Sequence, residues 1–376
     1  MMSREFNPTR RQILATGGLA GLGLALAACG SSSSTTSADA ASPSFKTNES
    51  KRPFKMATWG GLSATGFDKA WGQPFTTATG IAVDDTPIMN YAQWETQIKS
   101  GQPGWDWGDF EGYFPLGHLD LFKPLPMNEI GVTRSQMVTL KNSADTQRLL
   151  TEKTVASYLS SYIIAYNPQT HKNPPASFAE FFDTKKFPGV RSIYNYCYGM
   201  LEVALVADGV AWDNMYPLDL ERAFAKLSTL GKNLVFWDTG AQSQQQIVAG
   251  SADYIVTWNG RIPPLAQQGL PVTVEWQDNI MILADHIIPG NTDREAVCAE
   301  FIHEALQPAN QAAASNLLAT GPTVTAGYDL IDDSMKSSIP TNPVNIAKSS
   351  GMLNDDWWAA NYDATSTSWT KWVNSL

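Results

Sequence analysis

The sequence predicts an α/β protein of two lobes, each a mostly parallel sheet flanked by helices, with a ligand cleft between the lobes. Three observations predict this class. Strand-like and helix-like segments alternate along the chain from residue 54 onward. About 320 residues follow that point, which is enough for two hydrophobic cores. Hydrophobic residues make up 43% of the chain and aromatic residues 11%, which excludes a disordered body.

The first strand–helix series occupies residues 54–121. Strands are predicted at Phe54–Trp59, Ile81–Val83 and Trp105–Phe110, and helices at Phe67–Thr79, Tyr91–Ser100 and Leu116–Leu121. Gly80 and Gly101 end the first two helices. Because ligands of parallel sheets bind beyond the carboxyl ends of the strands, we expect the segments after Trp59 and Trp107 to border a cleft.

The second series begins with a long buried strand, 155–166, that could cross between the lobes. Further strands are predicted at Leu234–Trp237 and Ala252–Trp258, and helices at Ser177–Phe182, Tyr198–Asp208, Leu218–Leu230 and Ala241–Gly250. The chain is then expected to return through Val272–Ile288 to a helix at Asp293–Leu306. The first lobe is then residues 54–160 with 290–376, and the second lobe is residues 161–289. The tryptophans near the C-terminus are expected to pack over the first lobe; they are Trp357, Trp358, Trp369 and Trp372.

The N-terminus has the pattern of an export signal. Arg10 and Arg11 precede an apolar stretch that ends in Leu-Ala-Ala-Cys at Cys29. The arginine pair resembles a twin-arginine signal, and the last four residues resemble the lipobox of bacterial lipoproteins. These resemblances imply cleavage after residue 28, lipid on Cys29 and a protein held on the outer face of the cytoplasmic membrane. An uncleaved anchor is the alternative.

The composition and net charge of the chain limit the classes of partner that it can bind. The Ser/Thr/Ala-rich residues 29–53 are predicted to be a flexible tether. Loss of residues 1–28 removes three arginines and one glutamate, so the net charge falls from −10 to −12. This acidity argues against nucleic acid and against an anionic membrane surface as partners, and it fits either a cationic ligand or simple solubility. Cys197 and Cys298 could pair, but their apolar neighbours favour two buried free thiols.

Five segments in order resemble the periplasmic solute-binding proteins of ABC importers, in particular the spermidine/putrescine-binding branch. They are Phe75–Val83, Trp105–Asp109, Phe178–Gly189, Gly250–Gly260 and the run from Ala284 to Thr323. The resemblance implies a type II-like periplasmic-binding-protein fold that closes on a small solute and delivers it to an ABC permease in the inner membrane. It also implies a monomer without cofactor or metal.

Seven residues are expected to contact the solute through this resemblance. They are the aromatic residues Trp59, Tyr113, Tyr196 and Trp258 and the acidic residues Glu111, Asp238 and Asp285. The tryptophans would stack on an organic cation and the carboxylates would neutralise it. Structural alternatives remain for each group: core packing for the tryptophans, exposed surface for Glu111, and helix capping for Asp238.

Asp285 and the segment around Tyr196 depart from the family pattern. Ala284, not Asp285, falls on the position of the family's pocket aspartate, and a shift by one residue turns a side chain to the other face of a strand. Polyamine binders have two carboxylates where this chain has Tyr196, Tyr198 and Gly199. We therefore expect a small amine-bearing, polyamine-like solute that carries less charge than spermidine or putrescine or is bound more by stacking.

Two other functions are weighed against amine capture. A sugar- or oligosaccharide-binding protein would share the fold, and an exported glycosidase or lyase would also line its cleft with carboxylates and tryptophans. The four histidines and the cysteines show no metal-binding spacing, and the sequence contains neither a Gly-x-Ser-x-Gly elbow nor a phosphate loop. The sequence therefore favours a binding protein over an enzyme, and no catalytic residue is predicted.

Overall fold

The computed structural model describes residues 52–101 and 104–376. The predicted export signal, Cys29 and all but the last two residues of the predicted tether lie outside the described residues.

A three-stranded parallel sheet forms the first part of the fold. Its strands are β1 (Phe54–Ala57), β2 (Val83–Asp84) and β3 (Trp107–Gly108), in the order β2-β1-β3. Helices α1 (Leu62–Phe67), α2 (Gln73–Thr79) and α3 (Tyr91–Lys99) flank it, and a π-helical turn at Asp68–Gly72 joins the first two. The predicted helix at 67–79 therefore begins five residues earlier. Since the strands are parallel, the segments after β1 and β3 lie at one edge.

A seven-stranded sheet forms the second part. Its strands are β4 (Phe110–Glu111), β5 (Val155–Tyr166), β6 (Arg191–Tyr194), β7 (Leu234–Trp237), β8 (Tyr254–Trp258), β9 (Thr273–His286) and β10 (Gly351–Met352). The order is β10-β9-β5-β8-β6-β7, with β4 beside β9. The long strands β5 and β9 pair antiparallel, whereas β6 is parallel to both neighbours, so this sheet is mixed.

The remaining helices cover the two sheets. They are α4 (Tyr113–Gly117), α5 (Met127–Ile130), α6 (Ser143–Arg148), α7 (Phe178–Phe182), α8 (Cys197–Ala207), α9 (Leu220–Ser228), α10 (Gly240–Ala249), α11 (Pro263–Gln267), α12 (Glu295–Ala305), α13 (Pro308–Leu318), α14 (Thr325–Tyr328), α15 (Asp333–Lys336), α16 (Pro343–Lys348) and α17 (Asp355–Val373). Within residues 52–101 and 104–376, no helix combines the length and apolarity that a membrane span requires.

Two large hydrophobic clusters stabilise the fold, and each contains side chains from both sheets. In the first, Phe54 stacks on Phe301 with ring centroids 4.5 Å apart. In the second, α8 is buried along nearly its whole length. Each fully buried large side chain contributes about 1.5–3 kcal/mol to folding. Cys197 and Cys298 lie in different clusters and are unpaired, which confirms two buried free thiols.

The C-terminal helix α17 packs on elements of both predicted lobes. The indole nitrogens of Trp358, Trp369 and Trp372 donate to Glu202, Asn195 and Ser228, with distances of 2.6, 3.1 and 2.9 Å. All three acceptors belong to the predicted second lobe. The helix also packs on α4 of the predicted first lobe, where Tyr362 stacks on Tyr113. The predicted packing over the first lobe is therefore present, while the buried indole N–H groups find their acceptors in the predicted second lobe. The lobe boundaries at residues 160, 161, 289 and 290 stay a prediction.

Candidate functional site

A cavity of about 80 Å³ lies where the two sheets meet. The three-stranded sheet contributes the segment after β1, and the larger sheet contributes β4, β5, β9 and the turn after β8. Its lining residues are Trp59, Leu62, Ser63, Phe67, Glu111, Tyr158, Ser160, Trp258, Gly260, Arg261, Ile282, Leu283, Ala284, Leu318 and Thr320. The segment after β1 thus borders a cleft, as the strand order implied.

Trp59 and Trp258 form aromatic walls of this cavity. Trp59 is 38% exposed and meets the edge of Tyr91 at 5.6 Å. Trp258 is half-buried and packs edge-on against Trp237 at 4.9 Å between ring centroids. Both indoles therefore present apolar surface to a bound solute, and Trp258 is the more firmly held of the two.

The Trp-Asn-Gly turn after β8 has a clear structural cause. The buried side chain of Asn259 accepts from the backbone N–H of Ser161 at 3.0 Å and donates to the carbonyls of Ala319 and Ser338. A Cβ at Gly260 would collide with the carbonyl oxygen of Leu318. Asn259 and Gly260 therefore pin the turn to β5 and to the end of α13, and the turn holds the side chains on either side of it at the cavity.

Glu111 lines the cavity next to a second acid, Asp109, which lies behind the wall. The Tyr91 hydroxyl donates to Glu111 Oε2 at 3.3 Å, and the Tyr158 hydroxyl donates to Asp109 Oδ1 at 2.8 Å. Burial, reinforced by the neighbouring Asp109, raises the pKa of Glu111 to about 8. Burial raises the pKa of Asp109 to about 7. Among the described residues, neither carboxyl forms an ion pair, and the one cation that lowers the pKa of Asp109 is Arg261.

Arg261 is a cavity residue that the sequence analysis missed. Its guanidinium lies over the Trp258 ring, 5.4 Å from the centroid. Burial lowers the pKa of Arg261, and the nearby Tyr158 and Asp109 oppose that effect. It neither pairs with a carboxylate nor donates a side-chain hydrogen bond within the part of the chain that the structure describes. The position of Arg261 directly after the Trp-Asn-Gly turn could have indicated a cavity residue. A polyamine carries only positive charge, however, so acidic and aromatic residues were the expected contacts.

Tyr113 and Tyr196 meet each other outside the cavity lining. Their hydroxyls are 2.6 Å apart, and Tyr113 stacks on Tyr362 of α17. Burial raises the pKa of both phenols well above the ordinary value, so they stay neutral. The two tyrosines join α4 to the start of α8 beneath the cleft.

Two acidic candidates do not reach the cavity. Asp238 is exposed at the end of β7 and accepts from the side-chain amide of Asn195 at 2.9 Å. It does not cap α10 either, because Thr239 does. Asp285 is fully buried and pairs with Arg148 at 2.5 Å, whereas its neighbour Ala284 lines the cavity. Alternation along β9 turns Asp285 to the opposite face, so its prediction as a ligand contact fails.

Gly199 shows why this chain has no carboxylate at residue 199. Its φ is +88°, and a Cβ there would collide with the ring of Tyr162. Tyr162 in turn donates to the Tyr198 carbonyl at 3.1 Å. The break at the start of α8 therefore requires glycine for steric reasons, and an acidic side chain at residue 199 has no room.

The family comparison agrees with this architecture. The family described as bacterial extracellular solute-binding protein matches residues 70–341. The chain belongs to this family. A curated relative, the gamma-aminobutyric acid-binding protein of Pseudomonas aeruginosa, is 28% identical over 301 residues, covering 77% of this chain and 82% of the relative.

Solved structures of family members share the fold. The Atu4243 GABA receptor superposes with a TM-score of 0.77 at 29% identity, covering 85% of this chain and 97% of the receptor. The MotA protein of A. tumefaciens B6, solved with glucopine, gives a TM-score of 0.75 at 26% identity, covering 85% and 99%. The two-lobed periplasmic-binding-protein fold predicted for this family member is therefore confirmed.

The polyamine branch is more distant. The spermidine/putrescine-binding protein PotD of Streptococcus pneumoniae has a TM-score of 0.66 at 16% identity, covering 85% of this chain and 99% of PotD, which shows the fold alone. The resemblance therefore holds at the level of solute-binding proteins and not of the polyamine branch.

Proposed function

We propose that this protein is the extracytoplasmic binding component of an ABC importer and that its solute is a small zwitterion of the ω-amino acid type. One observation carries the proposal: Glu111 and the unpaired guanidinium of Arg261 line the same cavity. A solute with an ammonium at one end and a carboxylate at the other complements both charges. The relatives named for binding gamma-aminobutyric acid support this class.

The ammonium end is assigned to Glu111 and Trp59. A charge-assisted hydrogen bond to Glu111 contributes about 1.5–3 kcal/mol, and an indole face about 0.5–2 kcal/mol. Tyr91 holds both groups in place, because its hydroxyl bonds Glu111 while its ring edge supports Trp59. Of the residues expected from the sequence to contact an amine, Glu111 and Trp59 therefore remain in the proposal.

The carboxylate end is assigned to Arg261. A guanidinium presents paired N–H donors that match a carboxylate, and no described carboxylate occupies them. Trp258 supports the guanidinium from one side at 5.4 Å. In this arrangement Trp258 acts through Arg261, so its aromatic face need not stack on the solute itself.

The same charges disfavour the other solutes considered. A diamine would place its second ammonium beside Arg261, where like charges repel. A neutral sugar would offer no carboxylate to the guanidinium of Arg261 and no ammonium to Glu111, so neither group would gain a charge-assisted partner. A cavity of about 80 Å³ also favours a compact solute over an oligosaccharide.

Capture is proposed to close the cleft. Trp59 follows the three-stranded sheet and Arg261 follows β8 of the larger sheet, so one solute contacts both parts. A ligand shifts a two-state equilibrium only through contacts that differ between the states, and contacts to both lobes exist only in the closed form. Delivery to a permease, anchoring by lipid on Cys29 and action as a monomer belong to the same proposal.

Isothermal titration calorimetry with four matched solutes tests the proposal. We expect gamma-aminobutyrate to bind, and putrescine, butyrate and glucose to bind at least about tenfold more weakly. Putrescine has two positive charges and no carboxylate, butyrate lacks the ammonium, and glucose lacks both charges. Asp238→Asn is the matched control, because that acid is exposed and remote from the cavity. Tight binding of putrescine or glucose without binding of any amino acid would overturn the assignment.

A further inference from the structure

The cleft acids sit in an environment that supplies hydrogen-bond donors but almost no positive charge. Glu111 and Asp109 are two residues apart, and each accepts a hydrogen bond from a phenol, at 3.3 and 2.8 Å respectively. Asp109 is 1% exposed, and its Oδ2 has no hydrogen-bond partner among the described residues. Two neighbouring carboxylates cannot both ionise cheaply in such a place.

The groups that face the two carboxyls come from every packed element. The phenols are Tyr91 of α3, Tyr113 of α4, Tyr158 and Tyr162 of β5, Tyr194 of β6, Tyr196, and Tyr362 of α17; α8 adds Tyr198 and the Cys197 thiol. The remaining charged groups are Asp355, which raises the pKa of Glu111, and Arg261, which lowers that of Asp109. Arg261 is thus the one described cation that opposes protonation of the pair.

We propose that the cleft binds its solute by proton exchange: the empty cleft holds Glu111 largely and Asp109 partly protonated, and an entering ammonium expels up to one proton to the solvent. This deepens the proposed function and rests on it for the identity of the solute. The O–H bond of one carboxyl breaks, its proton leaves to water or buffer, and the resulting carboxylate pairs with the ammonium. Glu111 is the direct partner because it lines the cavity, and Asp109 behind it adjusts the charge of the wall.

Proton exchange explains how the cleft can stay uncharged while empty and still bind a cation. Two ionised carboxyls with Arg261 as the one nearby described cation, and with no ion pair to it, would destabilise the ligand-free protein. A primary ammonium has an ordinary pKa near 10.4, and a carboxylic acid one of about 4.3, so an ω-amino acid does not titrate near neutral pH. A proton released on binding at that pH therefore comes from the protein.

The first test uses the free protein, so it is independent of solute identity. Carbon-13 NMR of the full chain, labelled at its carboxyls, follows ionisation from about pH 4 to pH 9. We expect raised titrations at about pH 8 and about pH 7, of which the first disappears in Glu111→Gln and the second in Asp109→Asn. Ionisation of both residues below about pH 5 would overturn the proposal.

The second test measures released protons. Calorimetry with gamma-aminobutyrate in two buffers of different ionisation enthalpy at about pH 7 gives the number of protons transferred. We expect a release of about half to one proton and a dissociation constant that falls several-fold to tenfold per pH unit between about pH 6 and pH 7. Binding with a heat independent of buffer would refute proton exchange and leave the proposed function standing. Absence of binding, with the raised titrations present, would refute the proposed function alone.

Glu202 offers a matched control. It is a fully buried carboxyl of α8 whose pKa burial raises to about 7, and it accepts from Tyr216 and Trp358 away from the cavity. Glu202→Gln should remove one raised titration from the NMR series and leave the proton release on binding unchanged. A loss of proton release in this variant would show that the protons come from the core and not from the cleft.

Discussion

Replacing Glu111 by glutamine should stabilise the ligand-free protein and weaken solute binding at the same time. The carboxyl is half-buried, its pKa rises from 4.5 to about 8, and the main cause is burial. The folded state therefore binds this proton more tightly than the unfolded state between those pH values. The contribution of Glu111 to the free energy of unfolding is present in full below about pH 4.5 and is lost as the pH rises toward 8.

The size of the stability difference between Glu111→Gln and the wild type follows from the pKa shift of Glu111. A change of about 3.5 pKa units corresponds to roughly 5 kcal/mol, since one unit is worth about 1.4 kcal/mol. Water in the cleft screens a half-buried carboxyl, so we expect about half of that, or about 2 kcal/mol, at pH 8. Glutamine is neutral at every pH and keeps an acceptor for Tyr91. The variant should thus match the wild type near pH 4.5 and exceed it at pH 8.

Urea denaturation at a series of pH values measures this difference, and calorimetry with gamma-aminobutyrate measures the loss of affinity. We expect the two stability profiles to diverge as the pH rises and the affinity at pH 8 to fall by about tenfold or more. The exposed Asp238→Asn variant should follow the wild type throughout. Parallel stability profiles for Glu111→Gln and wild type would show that the carboxyl is not buried without a counter-charge, and the reasoning would fail.

Three further outcomes are expected. Arg261→Ala should lower the affinity for a carboxylate-bearing solute by about 10–100-fold in calorimetry, since it removes a charge-assisted pair; an unchanged affinity would place the carboxylate elsewhere. Arg148→Met should cost about 3–5 kcal/mol in urea denaturation, because Asp285 and Asp355 then stay buried without their cation; a cost below about 1 kcal/mol would contradict this. Burial lowers the pKa of His286 to about 3, so the wild type should lose stability as the pH falls from 6.5 toward 3, and His286→Asn should lose less of it over that range in the same assay.

The alternation of apolar segments determined most of the secondary structure. The strands at Val155–Tyr166 and Leu234–Trp237 have the predicted bounds, and the helix at Tyr91–Lys99 ends one residue before the predicted bound. These predictions are correct because a buried strand is a continuous run of apolar residues and a glycine often follows the end of a helix. Both patterns can be read from the local sequence. The Trp-Asn-Gly turn was identified through the family resemblance, and the structure adds its cause, which is the set of hydrogen bonds of Asn259.

Only the tertiary structure decided which charges share the cavity. Arg261 and Glu111 are 150 positions apart in the chain, and nothing local indicates that they line one space. The face that a single acid presents, as for Asp285, depends on strand register, and a bulge or a one-residue shift reverses it. The sequence by itself determined the elements and the family, because those depend on local periodicity and on many residues at once. The chemistry of the solute depends on a few side chains brought together from distant segments, and that arrangement exists only once the chain has folded.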